Sequence, residues 1–130
     1  MTEHHFVELK AQGVIVVVVR GLRDDAVGRR SVDAFFEFYE NTTSTRVLFD
    51  LRQAQAATEP GYMMARAVRV AQGLRPSRVA ILATDLEDMM SRVYRKASSD
   101  AGHETGLFLS LEEAEAWLST PSEGDELYLA

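Results

Sequence analysis

The longest apolar run in the chain is Val14-Ile15-Val16-Val17-Val18-Val19, six β-branched residues between Gly13 and Arg20. Such side chains are stiff at χ1 and fit a pleated surface, and successive strand residues point to opposite faces. An unbroken run therefore predicts a strand covered on both faces, the central strand of a layered α/β sheet. Each fully buried Val or Ile contributes roughly 1.5–3 kcal/mol, so the core is expected to form around it. Ahead of it, residues 5–11 alternate, with Phe6, Glu8 and Lys10 on one face and Val7, Leu9 and Ala11 on the other. The link Gln12-Gly13 is so short that the two strands must pair as an antiparallel hairpin.

Downstream the period changes from two to that of a helix. Asp24 or Asp25 can cap a helix over residues 25–41, with Val27, Ser31, Ala34, Phe35 and Phe38 at helical spacing. Phe36 and Tyr39 widen that stripe, which suits a broad core-facing surface, a dimer contact or a ligand wall. Val47–Leu51 reads as a third strand, and a loop of small residues, 53–57, leads to Thr58-Glu59-Pro60-Gly61. There Thr58 can act as N-cap and Pro60 can sit in the first turn of a helix that stops at Gly73. Its Met63, Ala67, Val70, Ala71 and Leu74 face the sheet, and Arg66 and Arg69 face water. Residues 78–83 form a fourth strand. Asp85 caps the next helix, whose Leu86, Met89, Met90, Val93, Tyr94 and Ala97 share one face, with Arg92, Arg95 and Lys96 opposite. A turn-rich link, 101–106, precedes a short strand, 107–109, and Ser110 with Glu113 completes a capping box for a helix over 111–118.

The predicted order is β, β, α, β, α, β, α, β, α. After the hairpin every strand is followed by a helix, so the later strands run parallel and are joined by right-handed crossovers. The fold class is α/β: a mixed, mostly parallel sheet of four to five strands opening with a β-hairpin and covered by about four helices. One domain spans 1–120, followed by an acidic tail, 121–130, whose Leu127-Tyr128-Leu129 can add an edge strand. A chain of 130 residues, 46% hydrophobic and 26% charged, is about one globular domain's worth.

Charge and cysteine content narrow the function. A net charge of −6 argues against a surface built wholly for nucleic acid or anionic membrane. The basic faces Arg66/Arg69 and Arg92/Arg95/Lys96 lack interleaved aromatics, so no nucleic-acid partner is expected. With no cysteine, disulfides, thiolate metal sites and a cysteine nucleophile are excluded, in keeping with a cytoplasmic protein. No signal peptide and no transmembrane segment are expected. The acids Glu112, Glu113, Glu115, Glu123, Asp125 and Glu126 crowd a stretch with no base, while twelve of the fourteen bases are arginine. A solvated surface accounts for that asymmetry as well as an electrostatic partner does.

The V-rich strand of the hairpin ending in Gly21, the strand Val47-Leu48-Phe49-Asp50-Leu51-Arg52, the strand Val79-Ala80-Ile81-Leu82, and the finish Leu107-Phe108 followed by Glu112-Glu113-Ala114-Glu115-Ala116-Trp117-Leu118 resemble the SpoIIAA-like proteins of the STAS-like fold. The resemblance covers residues 5–119. It implies a sheet of the kind derived above and a group whose members mostly have no known catalytic activity. More distantly the chain is similar to anti-sigma-factor antagonists, in which Asp-Leu leads to an Asp-Ser-Ser-Gly-Leu helix start phosphorylated on serine. That segment falls on Thr58-Glu59-Pro60-Gly61-Tyr62, where Gly61 matches and Glu59 and Pro60 replace the serines. Glu59 places permanent negative charge at a helix start, and Thr58 is the one hydroxyl left there.

Candidate chemistry belongs at the carboxyl ends of the parallel strands, where open α/β sheets bind ligands. That edge carries Asp50, Arg52, Thr84 and Asp85 as a candidate polar site; Asp50 can pair with Arg52, and Asp85 is explained as a cap. Paired carboxylates for acid–base work would have to be Asp50 with Glu59 or Asp85, and no spacing forces them together. His4 and His5 point to opposite faces of a strand and make a poor metal pair, and His103 sits in a loop, so no metal and no cofactor are expected. Two functional expectations remain. The first is a non-catalytic STAS-like regulatory module acting by protein–protein contact through Thr58, Glu59, Gly61, Tyr62, Arg66 and Arg69, with a homodimer possible. The second is a carrier of a small apolar or lipid-like ligand, with Phe35, Phe36, Met63, Met64, Met89 and Met90 lining a pocket between sheet and helices.

Overall fold

The computed structural model describes residues 3–121. Its elements are β1 (His4–Leu9), β2 (Val14–Arg23), α1 (Asp25–Tyr39), β3 (Arg46–Ala56), α2 (Pro60–Gly73), β4 (Arg78–Leu82), α3 (Met89–Asp100), β5 (Glu104–Phe108) and α4 (Leu111–Ser119). The strands lie in the order β1-β2-β3-β4-β5, with β1 antiparallel to β2 and the other neighbours parallel. The expected mixed α/β sheet with its opening hairpin and four helices is therefore what the chain forms. The tail 122–130, with its predicted edge strand at Leu127-Tyr128-Leu129, lies outside the described residues.

Spatial order equals sequence order from β2 to β5, so three right-handed crossovers must all pass over the same face. There Val32, Phe35 and Tyr39 of α1, Met63 and Val70 of α2 and Met90 of α3 pack on Ile15, Val17, Val19, Val47, Phe49, Leu51, Val79 and Ile81. Among the described residues the other face receives only α4, whose Ala114 and Leu118 meet Leu48, Ala80 and Leu82.

This asymmetry corrects the expectation for the valine run. Ile15, Val17 and Val19 are buried, whereas Val14, Val16 and Val18 are only half-buried, because one helix cannot cover five strands. β3 holds the middle of the sheet, and β4, buried at all five positions, is the strand covered on both sides.

The other differences are local. β1 stops at Leu9 rather than Ala11, since the amides of Gln12 and Gly13 turn back to the carbonyls of Leu9 and Lys10, with Gly13 at φ +67°. α1, capped by Asp24 through a 2.8 Å bond from the Val27 amide, ends at Tyr39 rather than 41, where the amides of Asn41 and Thr42 close a tighter turn. β3 absorbs most of the predicted loop: Gln53–Ala56 pair with Arg20–Arg23, and a register shift between Val18 and Arg20 inserts one extra residue in β3. β5 begins earlier than predicted, at Glu104 opposite Arg78, and leaves Leu109 outside. Ser110 caps α4 as expected, accepting from the Glu113 amide. No helix among the described residues is long and apolar enough to cross a membrane.

Candidate functional site

The carboxyl edge of the sheet is built by the ends of β2, β3, β4 and β5 and the starts of α1, α2, α3 and α4. Three of its four predicted polar residues, Asp50, Arg52 and Asp85, are already engaged. Asp50, on β3, is buried and held by Arg52 in a two-pronged pair, Nε to Oδ1 and Nη2 to Oδ2 each at 3.0 Å, with the Arg52 amide adding a third bond. The side-chain bonding to Asp50 raises the Arg52 guanidinium above its ordinary value. Thr84 and Asp85 are exposed in the β4–α3 loop, and Asp85 accepts from the Glu87 amide at 2.9 Å. The predicted cap is thus displaced by three residues: α3 starts at Met89 behind Asp88, which accepts from both the amide and the hydroxyl of Ser91. Leu86 and Met89 consequently face water instead of the core. Asp50, Glu59 and Asp85 belong to separate local structures, and no hydrogen bond joins them.

At the start of α2 the structure removes two expectations. Thr58 does not cap the helix; Glu59 is the capping residue, its carboxylate makes no capping bond, and Pro60 occupies the first helical position. Arg66 does not face water. Its largely buried side chain runs over Gly28 of α1 and pairs with Asp25 at 2.7 Å, so that a Cβ at Gly28 would collide with the guanidinium. Arg69 is exposed and paired with Asp33 at 2.8 Å.

The six residues expected to line one apolar pocket are also dispersed. Met63 is buried in the main core, Met64 is half-buried, and Met89 is 53% exposed. The Phe36 ring fills the space over Gly73 with the Arg69 guanidinium 5.7 Å from its centroid, so the wide stripe of α1 is used for packing. Only Phe35 and Met90 reach a cavity, a partly enclosed space of about 40 Å³ between the sheet and helices α1–α3. Its apolar wall includes Val17, Val19, Phe49, Leu51 and Val70, and its polar groups are Arg23, Ser31, Arg66 and Tyr94.

Arg23, Tyr94 and His4 are the residues that sequence reasoning missed here. Arg23 is 4% exposed, gives Nη1 to the carbonyls of Glu3 (3.0 Å) and Arg20 (3.3 Å), and keeps a buried Nε without a partner. Burial pushes its guanidinium below the ordinary value. Burial likewise raises the Tyr94 hydroxyl, while Arg66 and Arg23 pull it back down. His4 stacks on Phe6 at 4.7 Å and bonds Ser31 Oγ at 3.0 Å; burial and then Arg23 hold its imidazole below the usual range. A signal for Arg23 does exist in the sequence. The period of Ile15, Val17 and Val19, carried through Gly21, puts Arg23 on the buried face.

His103, predicted in a surface loop, is buried: Nε2 meets the Ala71 carbonyl at 2.7 Å and Nδ1 accepts from the Ser77 amide at 3.2 Å, joining α2 to the β5 start. Of the basic face of α3, Arg92 pairs with Glu87 and Lys96 with Asp100. Among the described residues no group of three or more His, Asp or Glu is placed to hold a metal ion.

A hairpin-opened sheet with three helices on one face and a terminal helix on the other is the SpoIIAA-like α/β fold. Among solved structures the chain is similar to an uncharacterized protein of the DUF3478 family with a SpoIIAA-like fold from Shewanella loihica PV-4. The two share 12% identity and a TM-score of 0.61 over 88% of this chain and 91% of that one, a likeness of fold alone. No family model matches the sequence, and no curated protein matches it.

Proposed function

We propose that the protein is a non-catalytic STAS-like regulatory module of the cytoplasm that works by protein–protein contact at the carboxyl edge of its sheet. One observation carries this reading. Seven large hydrophobic residues are exposed among those described, and six of them, Leu22, Tyr62, Leu86, Met89, Leu109 and Leu111, fall at or just beyond the carboxyl ends of the strands or at the helix starts beside them. Scattered exposed apolar residues need no explanation, but a concentration on one rim is what a contact surface offers. Thr58, Glu59 and Gly61 lie on the same rim, next to Tyr62. Arg66, drawn inward to Asp25, is not part of it.

The test is affinity purification from the source cells with quantitative mass spectrometry, comparing the native chain with a Tyr62→Glu/Met89→Glu variant of unchanged Tm. At least one protein should be retained by the first and lost from the second. An identical set of co-purifying proteins with both would overturn the reading, and loss of self-association alone would identify the partner as a second copy. The carrier reading is favoured by the cavity beneath α1–α3 but met only in part by it. About 40 Å³ holds a few atoms or one or two waters and falls far short of an acyl chain.

A further inference from the structure

The cavity differs from an ordinary packing defect in its charge. Arg66 is neutralised by Asp25 at 2.7 Å, a carboxylate that also meets the exposed Arg29 at 3.3 Å. Arg23 has no such partner. The acids nearest to it are in use elsewhere: the Glu3 carboxylate pairs with Arg30 at 2.8 Å, and the Asp24 carboxylate caps the Val27 amide. What Arg23 receives from its surroundings is two backbone carbonyls. A buried charge is tolerated when it is paired and costs several kcal/mol when it is not. Arginine cannot escape by losing its proton, so a cation without a carboxylate in contact stays beside apolar walls, with Glu3 and Asp24 acting on it only from a distance.

We propose that this cavity binds a small aliphatic monocarboxylate, its carboxylate received by Arg23 with Tyr94 and Arg66 alongside and its short tail lodged among Val17, Val19, Leu51 and Val70. The site is built for that class on three counts. One unbalanced positive charge calls for a monoanion rather than a phosphate dianion. The guanidinium presents planar N–H donors that fit a carboxylate, and the partnerless Nε is one of them. The lining is mostly apolar and the space, partly enclosed and a few atoms wide, admits a carboxylate and the first carbons of a chain of two to four, the rest reaching its open side, and leaves no room for a sugar or nucleotide. The inference is independent of the contact surface above and narrows the carrier reading, a small apolar or lipid-like ligand between sheet and helices, to one ligand class.

Thermal unfolding in a buffer free of carboxylate and phosphate tests it, with sodium butyrate titrated against sodium chloride at matched ionic strength. Butyrate should raise Tm saturably, by about 4 °C at tenfold excess over its Kd, beyond any rise with chloride. In Arg23→Met that butyrate-dependent rise should vanish, and in Tyr94→Phe the Kd should weaken several-fold. The unmodified chain supplies a second readout, since the 15N–1H signal of the Arg23 Nε should move with the same Kd. A rise no larger than chloride's, an undiminished rise in Arg23→Met, or an unmoved Nε signal would each overturn the proposal. Octanoate tests the size limit: its rise should be smaller than that of butyrate, and a larger one would overturn the short-chain assignment in favour of a longer lipid-like ligand.

Discussion

Two buried arginines, Arg78 at the amino edge of the sheet and Arg23 near the carboxyl edge, are enclosed almost equally, at 8% and 4% exposure, and are treated in opposite ways. Arg78 pairs with Glu104 at 3.4 Å, bonds both the carbonyl and the hydroxyl of Thr120 at the end of α4, and lies 4.1 Å from the centroid of the Trp117 ring. Arg23 meets carbonyls only. Both leave Nε without a partner, so that atom alone separates nothing; the carboxylate does. Arg78 acts as a clasp between β4, β5 and α4, with its charge balanced within the fold. Arg23 ends a strand in a cavity with its charge unbalanced, which marks a place kept for something other than packing.

Substitution should break the pair apart. Arg78→Ala removes the clasp, strips the Thr120 carbonyl of its partner and empties the space under Trp117. Breaking a buried pair costs roughly 3–5 kcal/mol when the remaining charge is sealed in. Glu104 is half exposed, so the loss should be about 3 kcal/mol, measured by urea unfolding with an unchanged m-value. Arg23→Met should behave differently. Two charged hydrogen bonds to carbonyls are lost, but so is the desolvation cost of an unpaired cation, and the two are of similar size. The ligand-free stability should fall by less than about 1 kcal/mol or rise. A loss as large as that of Arg78→Ala would make Arg23 a second clasp and remove the contrast.

The order and type of every element between residues 5 and 119 were legible, because a period of two followed by caps and helical spacing leaves few alternatives. Three features were not, each for a physical reason. The sequence offers two acids that can open α3, and an apolar Leu86 at helical spacing favours Asp85. What decides for Asp88 is Ser91, whose amide and hydroxyl it accepts together. The extension of β3 through Gln53–Ala56 depends on the partner strand continuing to Arg23, a pairing that local propensity does not register. Arg66 sits at the margin of its helix stripe, three residues after Met63. Whether such a residue turns in or out depends on the bare backbone of Gly28 across the helix interface. The cavity is a gap left by that packing, and a gap has no sequence pattern. The charged marker Arg23 is visible in the phase of β2, and a strand that ends in Gly21 hides it.

The smallest effect is the most specific to Arg23, since it is read on a neighbour rather than on stability as a whole. His4 has a folded-state pKa below its unfolded value, first through burial and second through the Arg23 charge, with Glu3 opposing. Between the folded value and about 6.5 the unfolded chain therefore holds more protons, so stability rises with pH across that window and is lost as the solution is acidified through it. The imidazole titration followed by NMR should lie below the ordinary histidine range in the native chain. In Arg23→Met it should move upward without reaching that range, because burial is the larger cause and remains. Saturating butyrate should move it upward in the native chain too, since an anion beside Arg23 cancels the same repulsion. An imidazole indifferent to both changes would mean that Arg23 is screened from His4, and the charge surplus assigned to the cavity would then be dissipated into solvent.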